Sequence, residues 1–136
     1  MVAGQSADEF LHVLVGEITL RSEDAVLPLS AGQSAVIPAG AAFEWRCDAP
    51  AQIVAMLRAG AVTPGTPRLM DVSLPLSPSA PPAADVLQTP TPDCRNLTLF
   101  RSADHTFSCG VWDSIRYTHT AITYGHYELM HLIEAR

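Results

Sequence analysis

The sequence of 136 residues predicts an all-β domain. Residues 8–58 are a series of apolar runs of four to six residues, rich in Val, Ile and Leu, with turn-forming residues between them. No segment in this half keeps a helical period of apolar residues for three turns. Residues 117–124 alternate between two faces, as the residues of a strand do. Strands at this regular spacing are typical of an antiparallel sandwich or a small barrel.

Six strands are predicted in the N-terminal half, each ended by a break in the apolar pattern. The breaks are Gly16 and the stretches 22–24, 31–32, 39–40 and 48–50, where small, polar or proline residues favour turns. In chain order the predicted strands are FLHVLV, EITLR, AVLPL, SAVIP, FEWR and QIVAML.

A proline-rich connector is predicted over residues 60–96. Eight of the 11 prolines lie between Pro64 and Pro92, and proline fixes φ and cannot donate to a sheet ladder. We therefore expect an extended segment. Its apolar residues, Leu69 and Met70 among them, leave two alternatives open: an ordered strap lying across a sheet, or a flexible linker.

Strands are predicted again in residues 97–136, as LTLF, FSCGVW, RYTHTAITY and YELMHLIE. At an offset of 119 residues, YELMHLIEA aligns with DEFLHVLVG, with Glu128 over Glu9 and His131 over His12. The match indicates the same strand from two related modules. The chain is therefore interpreted as a single domain, residues 1–136, made of two blocks of strands and a connector.

Composition and charge restrict the classes of molecule that the protein is expected to bind. The net charge of −6 and the 8 scattered basic residues argue against nucleic acid or an anionic membrane, because both are recognised by clustered Lys and Arg. The charged fraction, 16%, is below the usual ~25%, so we expect a second copy to cover part of the surface. The three well-separated cysteines are expected to be buried thiols in a reducing compartment, and the predicted location is cytoplasmic.

Two stretches resemble signatures of the cupin superfamily. The second cupin signature is Gly, five residues, Pro, one residue, Gly, two residues and His; residues 32–43, GQSAVIPAGAAF, match it except that Phe43 stands in place of the His. The first signature ends in Glu, six residues and Gly, which Glu9 and Gly16 match. With GVWDS and HYELMHLIEA later in the chain, the sequence is similar to two-module cupins related to ureidoglycine aminohydrolase and ethanolamine-utilisation proteins.

The resemblance implies a cupin-type double-stranded β-helix, or jelly-roll barrel, with its two halves in permuted order. In such a cupin the GVWDS to YELMHLIE block opens a module and the GEITL to VIPAGAAFEW block closes it, whereas here the closing block, residues 1–59, precedes the opening block, residues 97–136. Either the C-terminal block folds back within the chain, or it completes the barrel of a second chain by strand exchange. Both remove open strand edges; the low charge and the long connector favour the second, a homodimer.

The inherited metal site is predicted to be absent. In metal-binding cupins, the resemblance implies two His and a Glu from the first signature and one His from the second, holding Fe, Mn, Ni or Zn. Residues 2–5 ahead of Glu9 and residues 121–124 ahead of Glu128 contain no His. We therefore expect a protein that binds a small polar molecule without metal or other cofactor. The predicted lining of the barrel is Glu9, Phe43, Trp45, Tyr124 and Glu128.

Two other hypotheses stay open, and so does the question whether the chain is an enzyme. His126 and Glu128 share a strand face with Tyr124, and with Glu9 nearby they could hold one divalent transition metal or act as an acid/base pair, in a metal-dependent hydrolase or isomerase. The third hypothesis is a structural remnant of a two-module cupin, stabilised by dimerisation. His12 falls on the opposite face from the glutamates and is predicted to pack between sheets or at an interface.

Overall fold

The computed structural model describes residues 4–134, and within that range it contains ten β-strands and no helix. The all-β prediction is confirmed. The chain divides into two compact units, the first formed by residues 4–73 and 98–110 and the second by residues 74–97 and 111–134. Over the described residues, no helix has the length and apolar character needed to cross a membrane.

The first unit contains two antiparallel sheets. Its strands are β1 (Ala7–Val15), β2 (Glu17–Arg21), β3 (Val26–Ser30), β4 (Ser34–Ile37), β5 (Glu44–Arg46), β6 (Gln52–Ala59) and β7 (Arg68–Leu69). One sheet has the order β6-β1-β4-β7 and the other the order β3-β2-β5. Each of the six apolar runs of the N-terminal half forms one strand, so that prediction is confirmed.

Gly16 separates β1 from β2 and lets the chain pass from one sheet to the other. Its φ is +81°, in the left-handed region that side chains disfavour. A Cβ at this position would lie 2.9 Å from the carbonyl oxygen of Pro50. Position 16 therefore requires glycine for two reasons, the backbone conformation and the close approach of a second segment.

β1 is the central strand of the first unit, and its side chains alternate between two cores. Leu11 and Val13 are buried between the two sheets, in what we call the inner core. The other buried members of the inner core are Ile18, Leu20, Leu29, Ala35, Ile37, Ala41 and Phe43. Phe10 packs on the opposite face, against an outer core of Val36, Met70, Phe100 and Phe107. β1 is therefore covered on both faces.

The connector is partly an ordered strap. Leu69 of β7 pairs with Ala35 of β4, and the Met70 N–H donates to the Ser34 carbonyl at 2.9 Å. The Met70 side chain is buried in the outer core. Residues 68–70 are therefore ordered along the edge of the sheet.

The sheet β10-β9-β8 contains the remaining strands, which are β8 (Ser77–Ser79), β9 (Cys94–Arg101) and β10 (Ser108–Ser114). β8 lies in the second unit, while β9 and β10 each contribute residues to both units. Arg95 of β9 donates two hydrogen bonds to Asp113 of β10, with an Nε to Oδ1 distance of 3.0 Å. The strands predicted over LTLF and FSCGVW are confirmed.

The strands predicted over RYTHTAITY and YELMHLIE do not form, and those two predictions are wrong. Residues 115–134 contain no strand, and their only β-pairing within the described range is an isolated bridge between His119 and Leu87. Thr120 N–H donates to the Val86 carbonyl at 2.8 Å beside that bridge. The alternating pattern is present, but a strand also needs a neighbouring strand, and the sequence pattern does not report whether one is available.

Gly16→Ala is expected to destabilise the protein by about 2–4 kcal/mol, because it combines left-handed strain with a clash against Pro50. Gly32→Ala is the matched control: its φ is +87°, but a Cβ there would meet nothing within 4 Å, so a loss of about 1 kcal/mol is expected. Urea denaturation gives both values. Equal losses for the two variants would contradict the role given to Pro50.

Candidate functional site

Glu9 lies on the inner-core face of β1, two residues before the buried Leu11. In the ladders it stands opposite Ile37 of β4 and Leu57 of β6. Its side chain is half-buried, and its Oε2 accepts a hydrogen bond from the Gln5 amide at 3.0 Å. The carboxylate that matches the first cupin signature is therefore held by a neutral amide donor.

Phe43 is a core residue. It is 7% exposed and belongs to the inner core with Leu11 and Val13. The position where the second cupin signature has a ligating His is thus filled by a ring packed against aliphatic side chains. A ring in these surroundings can contact only apolar groups.

Trp45 lies on β5 directly opposite Leu20, so the two side chains share a sheet face. Leu20 is buried, whereas Trp45 is 58% exposed. The neighbouring Glu44 is 3.9 Å from the Arg21 guanidinium. Trp45 therefore offers an accessible indole at the open side of the inner-core face.

Asp8 is a buried carboxylate that the sequence analysis did not single out. It is 1% exposed; its Oδ1 accepts from the Ala39 N–H at 2.8 Å and its Oδ2 from the Thr63 hydroxyl at 3.3 Å. The Thr63 N–H in turn donates to the Ala39 carbonyl at 3.0 Å, and the Gly40 N–H to the Gln5 carbonyl at 2.8 Å. Asp8 therefore stabilises the Pro-Ala-Gly turn, residues 38–40, through hydrogen bonds on the outer face of β1. The only signal in the sequence was its even spacing with Phe10 and His12.

His12 is buried on the same face of β1 as Asp8. Its Nδ1 is 2.7 Å from the Ser34 hydroxyl of β4, directly opposite in the ladder. The prediction that His12 packs between elements, away from Glu9, is confirmed.

Tyr124, His126 and Glu128 come together in the second unit. His126 Nε2 is 3.7 Å from Glu128 Oε1, and the Tyr124 and His126 rings meet edge to face at 5.6 Å. The His126 and Glu128 side chains are 62% and 45% exposed. The predicted neighbours are therefore adjacent, but they lie on an irregular segment open to solvent instead of on a strand.

An aromatic group near this trio was missed by the sequence analysis. The Tyr117 and His119 rings stack at 5.7 Å, and Trp112 meets Tyr117 edge to face at 6.4 Å. Burial raises the pKa of Tyr117, with smaller contributions from Cys94 and Tyr124. The alternating pattern predicted a strand at Tyr117 and His119. The contact of these two rings with Trp112 depends instead on how residues 115–120 fold.

Two of the three cysteines are shielded. Cys94 is buried, and burial raises the pKa of the half-buried Cys109 thiol to about 12, with a further contribution from the nearby Asp8. Cys47 is exposed, so the expectation of a buried thiol is wrong at that position, which follows β5 in a surface turn. In the described part of the chain, no three His, Cys, Asp or Glu side chains are close enough to hold a metal ion.

Comparison with known proteins identifies one relative. No family model matches the chain, and no curated protein does. Among solved structures, it is similar to the crystal structure of a DUF861-family protein of unknown function from Pseudomonas syringae pv. tomato str. DC3000, with 30% sequence identity and a TM-score of 0.79. DUF861 is a cupin-like family. The fold is of the cupin type.

The cupin-type relationship extends over 85% of this chain and 50% of the Pseudomonas protein, so the chain spans half the length of that relative. The predicted fold class is therefore confirmed. The narrower similarity to ureidoglycine aminohydrolase and ethanolamine-utilisation proteins stays a prediction, as do the single-domain interpretation and the completion of the barrel.

Asp8→Ala is expected to lower the free energy of unfolding by about 1–3 kcal/mol, because the Ala39 N–H would be left buried without its acceptor. Asp8→Asn keeps one amide oxygen for that N–H and is expected to cost less. Asp24→Ala, at an exposed turn, serves as the control with no expected effect. An Asp8→Ala protein as stable as the wild type would contradict the fastening role.

Cys47 is expected to be the one thiol that iodoacetamide alkylates in the native protein at mildly alkaline pH, since reaction requires an accessible thiolate. Cys94 and Cys109 should react only after denaturation. Mass spectrometry of peptides gives the labelled positions, and Cys47→Ser should abolish native labelling. Rapid native labelling of Cys109 would contradict its shielding.

Proposed function

We propose that this protein is a small-molecule-binding cupin in which the family's metal site has been replaced by apolar packing. The observation that carries the proposal is the burial of Phe43 in the inner core. A His at this position would bring a polar ring among aliphatic side chains, where an unpaired polar group is costly. The packing around position 43 therefore suits an apolar residue and does not suit a metal ligand.

The surroundings of Glu9 support the same proposal. Gln5 occupies one of the positions where the family would have its His pair, and its amide donates to the Glu9 carboxylate. An amide donor satisfies a carboxylate without any metal. The residues at the family's ligand positions do not fit a metal ion, and the proposal involves no cofactor.

The positions of Glu9, Leu57 and Trp45 support a proposal for the class of ligand. Glu9 provides carboxylate acceptors next to the exposed side chain of Leu57, and Trp45 provides an accessible ring on the open side of the inner face. Binding sites for small molecules combine apolar surface with a few polar groups that fix orientation. The ligand proposed is a small polar molecule with hydroxyl or amine donors for Glu9 and an apolar edge.

Thermal denaturation with a panel of polyols, amino alcohols and monosaccharides tests the proposal. At least one compound should raise Tm in a saturable way, with about 2.7 kcal/mol of stabilisation at a hundredfold excess over Kd. Glu9→Gln should abolish the shift, whereas Glu17→Gln, at an exposed position of β2, should leave it intact. The absence of any shift, an unchanged shift in Glu9→Gln, or one transition metal per chain by elemental analysis would each overturn the proposal.

A metal-dependent hydrolase or isomerase built on His126 and Glu128 is the second candidate. It is favoured by one observation, the 3.7 Å distance between His126 Nε2 and Glu128 Oε1. The pair is open to solvent and supplies two ligands, fewer than the three protein ligands that catalytic zinc sites use. Elemental analysis distinguishes the two candidate functions. The metal-dependent enzyme requires about one metal ion per chain, and His126→Ala should remove that ion.

A further inference from the structure

The C-terminal segment, defined as residues 122–134, exposes an unusual amount of apolar side chain. Within the described range it belongs to no sheet. The exposed fractions are 43% for Ile122, 55% for Tyr124, 95% for Tyr127, 38% for Leu129, 72% for Met130, 78% for Leu132 and 63% for Ile133. Exposed apolar side chains concentrated in one segment are typical of an interaction site.

The segment has the sequence pattern of a paired strand. Its residues 127–135 align with residues 8–16, which contain most of β1, and Glu128 and His131 repeat Glu9 and His12. β1 pairs antiparallel with β4 on one side and β6 on the other. The surface that suits the C-terminal segment is therefore the edge of an antiparallel strand like those that flank β1.

The first unit provides such an edge at β6. Proteins protect their sheet edges with proline, with charge, or by keeping the edge strand short. β3 contains Pro28 and β8 contains Pro78, while β5 and β7 have three and two residues. β6 has eight residues, no proline and no lysine, and among residues 4–134 it pairs on one side only. Ile53 and Leu57 leave apolar side chains exposed along it.

β10 is the other long edge strand, and it differs from β6 in its charged residues. β6 contains Arg58 and no acid, and the C-terminal segment contains Glu128 and Glu134 and no Lys or Arg. β10 contains Gly110, which weakens a strand, and its one acid, Asp113, is already paired with Arg95. β6 is therefore the better complement to the segment.

We propose that the C-terminal segment of one chain adds as an antiparallel strand to the free edge of β6 in a second copy of the chain. Addition of an extended segment to an exposed edge is a common mode of recognition, in which backbone hydrogen bonds supply affinity. When each copy gives its segment to the other, the assembly closes as a two-fold dimer. The β6 edge includes Leu57, which also lies beside Glu9, but the assembly requires no ligand and is tested without one.

Light scattering of the wild-type chain over a dilution series is the first test, and a molar mass of twice 14.6 kDa is expected. Leu132→Lys in the segment and Leu57→Lys on β6 should each raise the dimer dissociation constant at least tenfold. Val72→Lys, which places the same charge on a half-exposed valine of the connector, is the matched control and should leave the dimer intact. Far-UV circular dichroism and thermal melting check that the variants fold.

Mixing the two defective variants gives a sharper test. The Leu57→Lys chain keeps an intact C-terminal segment, and the Leu132→Lys chain keeps an intact β6 edge. In the mixture, the segment of the first chain should therefore add to the β6 edge of the second and form a heterodimer with one strand exchange. In the wild-type dimer, amides of residues 127–134 and of β6 should be protected from hydrogen exchange and lose protection on dilution. A wild-type monomer at every concentration, a dimer that survives both substitutions, or protection at β10 instead of β6 would overturn the proposal.

Discussion

The first unit depends on the burial of β1 on both of its faces. Leu11 and Val13 lie in the inner core and Phe10 contacts the outer core, so a second layer is needed on each side of the sheet. Gly16 turns the chain into β2 and thereby starts the three-stranded sheet that covers the inner face. Each fully buried aliphatic side chain contributes about 1.5–3 kcal/mol, so this arrangement carries much of the stability of the unit.

Burial of the outer face imposes a second condition, because that face of β1 also carries two polar residues. Asp8 and His12 are each almost fully buried, and an unpaired polar group there would be destabilising. Asp8 binds Ala39 and Thr63, and His12 contacts Ser34. The turn that contains Ala39, the segment around Thr63 and the start of β4 are thereby fixed against β1. β1 therefore holds these neighbouring segments through its outer face and presents Glu9 on its inner face.

The sequence predicted the features that depend on a local pattern of residues. It did not predict the features that depend on contacts with residues far away in the chain. The six N-terminal strands follow from apolar runs and turn residues, and Phe43 was identified from signature spacing alone. Residues 116–124 and 127–134 show equally good strand patterns and form no strand, because pairing requires a neighbour that alternation does not specify. Asp8 was missed for a related reason: its acceptor role depends on Ala39 and Thr63, which are 31 and 55 residues away.

Asp8 holds the turn at residues 38–40 of this cupin-type scaffold through hydrogen bonds with the Ala39 N–H and the Thr63 hydroxyl. Here the turn is held from the outer face, through the Ala39 N–H, and Phe43 is held by the inner core. A His ring left without a hydrogen-bond partner at position 43 would be destabilising, whereas the Phe adds apolar burial. Under the proposed replacement of the metal site, packing therefore favours an apolar over a polar residue at position 43 of the inner face. Glu9 is the exception, since Gln5 satisfies its carboxylate, and a polar group retained in this way on an apolar face is the feature on which specific binding of a ligand would depend.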